Sequence, residues 1–416
     1  MDKCFILDEP IVDYIKKNKP DIVVKGKEHE KLINIEKNIL DSYGGKLIFS
    51  SGDVSFSSME LLNNEFSTTK NNKGLFETKY FKRHQINRDN LIPLIKRFSK
   101  LNVLVVGDLI IDDYIDCEPL GMSQEDPTLV VNPISKKRFI GGAGIVALHA
   151  CGMGANVSFL SITGNDEAFR FAETKLRENK IKTDLIIDTT RPTTIKKRYR
   201  AKLKTLLRVS ELRQENISKD LQDIVLEKFR NNLKERDLII FSDFNYGCLP
   251  DDLIAEMILL AKKMNIKMAA DCQSSSQIGD IGRYNGMELI TPTEREARLS
   301  LKNKSDSIYV LAEKLSELTN PKHLLLKMGA EGCLVFTNTR KKGDPGNRDQ
   351  LRAYSNNIVD VAGAGDSMLA ITALALACKV SIWESAYLGS LAAGIQINQV
   401  GNIPITKDQL IEVLKN

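Results

Sequence analysis

From about residue 100 onward the chain alternates short apolar runs with longer stretches whose apolar residues recur at helical spacing. The runs "NVLVVGD", "NVSFLSIT", "DLIIFSD", "IKMAAD", "HLLLKMG" and "CLVF" are short and rich in Val, Ile and Leu, the pattern of buried strands. Between them "KDLQDIVLEKFRNNLKE" and "PDDLIAEMILLAKKMN" place apolar residues on one helical face. Strand, helix, strand in this rhythm predicts an α/β fold, a doubly wound and mostly parallel sheet with helices on both faces. Two stretches break the rhythm. "TLVVNPISKKRFI" and "PTTIKKRYRAKLKTLLRVSEL" alternate like exposed antiparallel strands, and predict a small β lid projecting from the main sheet.

The first hundred residues differ. "KPDIVVKGKEHEK" offers a strand over Asp21 to Val24, ending at Lys25 and Gly26, then a helix, then a second strand in "GGKLIFSS". From Ser67 to about Arg88 the chain turns polar, and "STTKNNKG" marks a linker. The expected organisation is a small α/β module over 1–66, a linker over 67–100 and a large domain over 101–416.

Composition narrows the class. The 416 residues, 42% of them apolar, suffice for one large core and a smaller one. No run approaches the roughly 18 apolar residues of a spanning helix, and the N-terminus lacks a signal-peptide pattern, so no membrane is expected. Seven scattered cysteines, none in CxxC spacing, fit free thiols in a reducing cytoplasm. The net charge of +5 is too small to argue for nucleic acid. The densest basic run, Ile195 to Arg208, reads as the solvated face of a strand pair, and an anionic small substrate would also suit it. His149 and His323 sit in apolar segments and read as core residues.

Candidate chemistry begins at "DVAGAGDSMLAITALALACK", a loop opening a long apolar helix from about Ala364 to Cys378. The first free amides of a helix point outward, and its dipole adds partial positive charge there. Gly363, Ala364 and Gly365 let those amides approach a phosphate, so the loop is a candidate anion hole. Asp366, on the first turn, is placed to accept the proton of an attacking hydroxyl. The bland reading is an aspartate capping a helix after a tight turn. Other stretches favour the chemical one. "RFIGGAGIVALHACGMGA" sets Gly141 and Gly142 at a helix start, "VVGDLIIDDY" sets Asp108 and Asp112 after the first strand, and "LKMGAEGCLVF" sets Gly329 and Gly332 in a turn between strands.

In this order the motifs resemble the ribokinase-like (PfkB) family of sugar kinases, over about residues 101–416. Within it, "GDLIIDDYI", "SQEDP", "TGNDEA", "RPTTIKKRYRA", "SDFNYG" and "LITPTEREA" are most similar to the heptose-7-phosphate kinases that occur fused to a nucleotidyltransferase. The resemblance implies ATP-dependent phosphorylation of the anomeric hydroxyl of a phosphosugar. It makes Asp366 the base and Gly363 to Gly365 the anion hole. Thr293, Glu296, Lys327, Gly329, Gly332 and Asp360 become nucleotide-site residues, with Glu296 organising Mg²⁺ through water. Asp108, Asp112, Gly141, Gly142, Ile145 and Arg198 become the sugar pocket, closed by the lid. The chain departs from the family at three positions. It has Ile145 and Thr293 where the family has Asn, and Ala362 where it has Thr. It also has Tyr246 and Gln273 where the heptose kinases carry lysines.

The N-terminal stretch resembles the C-terminal half of the nucleotidyltransferase domain of the same fused enzymes. That family needs an HxGH-type loop, and neither His29 nor His84 lies in such a pairing. Residues 1–66 are therefore expected to be an incomplete, structural or docking module. A nucleotidyltransferase partner chain and a homodimer through the lid are the assemblies this arrangement allows. Two alternatives stay open: a kinase of another sugar or of a nucleoside, and a degenerate kinase serving as a scaffold.

Overall fold

A computed structural model describes residues 7, 9–26, 34–50, 71–202, 204–274, 277–339, 347–354 and 358–415. The chain divides into two compact units, Met1–Leu75 with Ser305–Val310, and Phe76–Lys304 with Leu311–Asn416. The smaller unit holds helix α1 (Ile11–Asn18), strand β1 (Ile22–Gly26), helix α2 (Ile35–Asp41) and strand β2 (Lys46–Ser50). Its strands pair in parallel, with Ile22 opposite Lys46, and a parallel pair needs a crossover such as α2 between them. Lys25, the cation at the end of β1, lies 3.0 Å from Glu36 on α2. His29 and the stretch 51–70 are outside the described residues.

The stretch read as a linker contains two helices, α3 (Asn71–His84) and α4 (Arg88–Lys96). From Phe76 onward it belongs to the larger unit. Its few apolar residues decide this. Tyr80, Leu91, Ile95 and Phe98 are buried in the main core, and the Tyr80 hydroxyl donates to the Trp383 carbonyl at 3.0 Å.

Nine strands form the main sheet. Their spatial order is β15 (Arg348–Leu351), β14 (Cys333–Thr337), β13 (His323–Lys327), β12 (Leu289–Ile290), β11 (Lys267–Cys272), β10 (Leu238–Asp243), β3 (Asn102–Gly107), β6 (Asn156–Thr163) and β7 (Lys182–Ile187). Strands β13 through β7 run parallel, and β14 and β15 are antiparallel. The chain runs outward from β3 to β7 and then resumes at β10 on the other side of β3. That reversal opens a crevice at the C-terminal strand ends, where ligands of such sheets bind.

A second sheet has the order β5 (Leu129–Gly142), β4 (Leu109–Met122), β8 (Thr194–Ala201) and β9 (Lys204–Glu211). This is the expected lid, with one difference: its central pair, β4 with β8, is parallel, while the outer pairs are antiparallel. Strands β4 and β8 are separated in the chain by β5, β6 and β7, so no hairpin constrains their direction.

The remaining helices are α5 (Ala143–Gly152), α6 (Glu167–Glu178), α7 (Lys219–Asn232), α8 (Asp251–Lys263), α9 (Glu294–Ser300), α10 (Ile308–Thr319), α11 (Ala364–Ala377), α12 (Ile382–Ile397) and α13 (Lys407–Lys415). Helices α11 and α12 are apolar all round because they are buried: every side chain from Asp366 to Leu376 is inside. Among the described residues no helix is long and apolar enough to cross a membrane. The six described cysteines are free thiols, five of them buried. His149 and His323 are core residues: His149 accepts from the Ile405 amide and His323 meets the Thr337 hydroxyl.

Candidate active site

Helix α11 begins at Gly363, whose φ of +76° lies in the left-handed region that favours glycine. A Cβ there would also meet Asn402 Oδ1 at 2.6 Å. Among the described residues no side chain caps this helix, so its first-turn amides, from Ala364 to Asp366, remain available to a ligand. They open on a cavity of about 570 Å³ that also receives Asp112, Gly142, Lys196, Arg198, Gln273, Thr293, Glu296, Lys327, Gly329, Gly332 and Asn402. Most of its polar floor leaves the C-terminal ends of parallel strands: Gln273 follows β11, Thr293 follows β12 and Lys327 ends β13.

Asp366 lies at the centre. Its carboxylate accepts from Gln273 Nε2 at 2.9 Å, and it is buried. Burial, with Asp271 nearby, pushes its pKa from 3.8 up to about 7, against the opposing pull of Lys327. Lys327 Nζ sits 2.9 and 3.0 Å from the Asp271 oxygens. Burial opposes its charge, but Asp271 and Glu296 hold its pKa raised. Asp271 itself is pushed up to about 6, chiefly by burial. Lys327, fixed by Asp271, thus stands as a cation close to Asp366 and Glu296.

One end of the cavity carries the lid's polar residues. Strand β8 alternates, so Lys196 and Arg198 face inward while Lys197 turns outward to Glu211. Arg198 pairs with Asp112, and Asp112 also accepts from Asn402 Nδ2 at 2.8 Å. The Lys196 ammonium stands 4.9 Å over the Phe244 ring and 5.1 Å over that of Tyr246, which is buried behind it. The other end is apolar, walled by Ala353, Tyr354, Val361 and Ile397 and by the β13–β14 turn. Gly332 in that turn has φ +93°, and a Cβ there would lie 2.0 Å from the Leu351 carbonyl oxygen.

Glu296 is the carboxylate that the resemblance assigns to the metal, and it lines the cavity. Its oxygens accept from the Thr293 amide at 2.7 Å and the Ser274 amide at 2.9 Å. Thr293 returns the bond through its hydroxyl, a capping box that starts α9. The pair holds the carboxylate at the cavity wall with acceptor sites to spare. Among the described residues no cluster of three metal-binding side chains exists. A single buried carboxylate suits Mg²⁺, which keeps most of its waters and takes the rest of its ligands from phosphates.

Four expected site residues lie off the cavity wall. Ile145 was expected to face the sugar; it is fully buried in the core of α5, with no exposed surface. Asp108 is buried below the floor, accepting from the Phe244 amide at 2.8 Å, and burial with nearby Asp243 pushes it up to about 7. Gly141 backs Asp112: a Cβ there would fall 2.3 Å from the Asp112 carboxylate. Asp360 ties the loop before α11, accepting from the Tyr114 hydroxyl at 2.7 Å and from the amides of Gly401 and Ala362 at 3.1 Å. Sequence reasoning missed Lys196, Asp271, Asn402 and Tyr354. Strand alternation from Arg198 would have found Lys196; the other three are brought in by distant elements and carry no local signal.

The profile described as pfkB family carbohydrate kinase matches residues 100–408. The chain belongs to this family. It is therefore an enzyme, a phosphotransferase of the pfkB carbohydrate kinases. Curated relatives include the bifunctional protein HldE of Desulfatibacillum aliphaticivorans, 29% identical over 322 residues, 76% of this chain and 63% of the relative. Another is the bifunctional protein HldE of Campylobacter jejuni (strain RM1221), 27% identical over 320 residues, 75% of this chain and 64% of the relative. The chain thus spans less than two thirds of the length of these relatives. Among solved structures, Arabidopsis thaliana ribokinase complexed with ribose and ATP has a TM-score of 0.57 at 18% identity, covering 76% of this chain and 99% of that one. Escherichia coli phosphofructokinase-2 in complex with substrates and products has a TM-score of 0.62 at 14% identity, over 76% and 98%. These likenesses show the ribokinase-like fold.

Proposed function

We propose that this kinase transfers the terminal phosphoryl group of ATP to the anomeric hydroxyl of a phosphosugar such as D-glycero-D-manno-heptose 7-phosphate. The observation that carries the reading is the position of Asp366. It stands on the first turn of α11, beside uncapped amides, between a charged cavity end and an apolar one. The apolar end suits a nucleobase. The charged end, with Asp112 for sugar hydroxyls and Lys196 and Arg198 for a phosphate, suits the acceptor. The motif resemblance to heptose-7-phosphate kinases supports this acceptor, and a fold neighbour solved with ribose and ATP supports the donor.

In this reading the acceptor hydroxyl donates to Asp366, which takes its proton as the oxygen bonds to the terminal phosphorus of ATP, while the bond from that phosphorus to the bridging oxygen breaks and ADP leaves. The amides of Ala364, Gly365 and Asp366 meet the charge on the transferring group, in a buried site where such contacts are strong. Lys327, fixed by Asp271, adds a cation that needs no reorganisation. Magnesium, when bound, supplies charge neutralisation on the phosphates, and Glu296 is the side chain that would hold it through water.

Asp366→Asn keeps the shape and removes the base. Its expected outcome is a fall in turnover of about 10²- to 10⁴-fold with ATP binding retained. Unchanged turnover would reduce Asp366 to a structural residue. ATP consumption measured with phosphosugars, free sugars and nucleosides identifies the acceptor. The second reading, a kinase of another sugar or a nucleoside, is favoured by Gln273. It contacts the base as a neutral amide where heptose kinases carry a lysine. For residues 1–66 we propose a docking role toward a nucleotidyltransferase chain. The Lys25 pairing with Glu36 supports it, since that cation is engaged within its own unit.

A further inference from the structure

Asn402 is a side chain of the cavity that the family motifs leave without a role. It is 6% exposed and lines the cavity beside Gly363 and Asp366. Its amide orientation is decided by chemistry: only Nδ2 can donate to the Asp112 carboxylate, at 2.8 Å. Oδ1 therefore points the other way. Among the described residues it has no hydrogen-bond partner, and it lies against Gly363, where a Cβ would approach to 2.6 Å. A buried amide oxygen without a partner is costly, and buried polar atoms in native proteins are nearly always paired. A buried, unpaired acceptor packed against the loop that opens α11, on a side chain that lines the cavity, is a group that a bound ligand can satisfy.

The position matters for a second reason. With Ile145 buried in the core, the polar contact expected from α5 is missing. Gly141, from the same glycine pair, presses against Asn402 as well as Asp112, its Cβ position lying 3.0 Å from Asn402 Nδ2. Asn402 thus reaches, from the segment after α12, the wall that α5 was expected to furnish. We propose that Asn402 is a specificity-determining residue of the acceptor site, its Oδ1 accepting a hydrogen bond from one hydroxyl of the sugar while Nδ2 holds Asp112. The proposal rests on the reading that this end of the cavity takes the acceptor. It requires an acceptor with a further hydroxyl besides the reacting one, since Asn402 and Asp366 line the same cavity.

The test is a cycle between enzyme and substrate. The probes are D-glycero-D-manno-heptose 7-phosphate with its 2-, 3- and 4-deoxy forms, and ribose and fructose 6-phosphate with theirs. Wild-type enzyme should discriminate against one deoxy form of its acceptor by about tenfold or more in kcat/KM, since that form leaves Oδ1 unpaired. In Asn402→Ala the discrimination should vanish while the KM for ATP stays within about twofold. Asn402→Lys offers Asp112 a donor but no acceptor, so it should lose the discrimination too. If Asn402→Lys keeps it, Asn402 only positions Asp112, and the proposal fails. Equal discrimination in wild type and Asn402→Ala also overturns it. Turnover of ribose or fructose 6-phosphate but not of the heptose would overturn the proposed acceptor instead, and the cycle then runs on the sugar that is turned over.

Discussion

At Asp366 a carboxylate is held near neutrality by its surroundings, and that has two measurable consequences. The proposed base works when ionised, so kcat/KM should fall with a slope of one below its pKa of about 7. Gln273 donates to it without charge. Gln273→Lys places a cation there, which should lower the carboxylate's pKa and move the acid limb down by about 1 pH unit. An unmoved limb would show that another group controls it. The same shift acts on stability. The folded protein binds the Asp366 proton more tightly than the unfolded chain, so this contribution is complete below the ordinary carboxylate range and is lost as pH rises through about 7. Melting curves should therefore show Asp366→Asn gaining on wild type by more at pH 8 than at pH 5. Equal differences at both pH values would contradict the assignment.

Between elements, the decisive relation is α5 against α11. Both helices are apolar on every side, and Ile145 lies in the core with no exposed surface. An asparagine at that position would bury an amide among aliphatic side chains. Ile145→Asn should destabilise the protein by about 2–4 kcal/mol in urea titrations, with the ranking of acceptors unchanged. A gain in turnover of heptose 7-phosphate would instead return that position to the sugar pocket. Strand β8 shows the opposite case. Its basic run reads as one solvated face, but alternation splits it, sending Lys196 and Arg198 to the cavity and Lys197 to Glu211. Charge density along the chain does not report which face a strand presents; period two does.

Over the whole molecule, the question is where the kinase begins. The family match starts at residue 100, but Tyr80, Leu91, Ile95 and Phe98 already lie in the main core. Arg83 and His84 reach Asp349 on β15, at 2.8 and 2.7 Å. A chain starting at residue 71 should fold and keep sugar kinase activity. One starting at residue 101 strips five large buried side chains, these four and Ile86, at about 1.5–3 kcal/mol each, a sum comparable with a domain's whole stability. It should be insoluble or unfolded by circular dichroism. Equal melting temperatures for the two would show that α3 and α4 are dispensable.

What the sequence determined by itself was local. Buried strands announced themselves by short runs of branched residues, and the proposed anion hole by glycines opening an apolar helix. Both follow from constraints acting over a few neighbouring positions. The place of Asp366 on the first turn was legible for the same reason, since the proposed base and the amides share one turn. What only the tertiary structure decided was every relation between distant segments. Residues 76–100 look polar in the chain and pack in the core through a handful of apolar positions. Ile145 follows Gly142, which lines the cavity, yet the helix turns its side chain to the core. Asn402, 290 residues from its partner Asp112, carries no motif at all. Hydrogen bonds of that reach are set by how the sheet and helices close on one another, and no spacing along the chain encodes them.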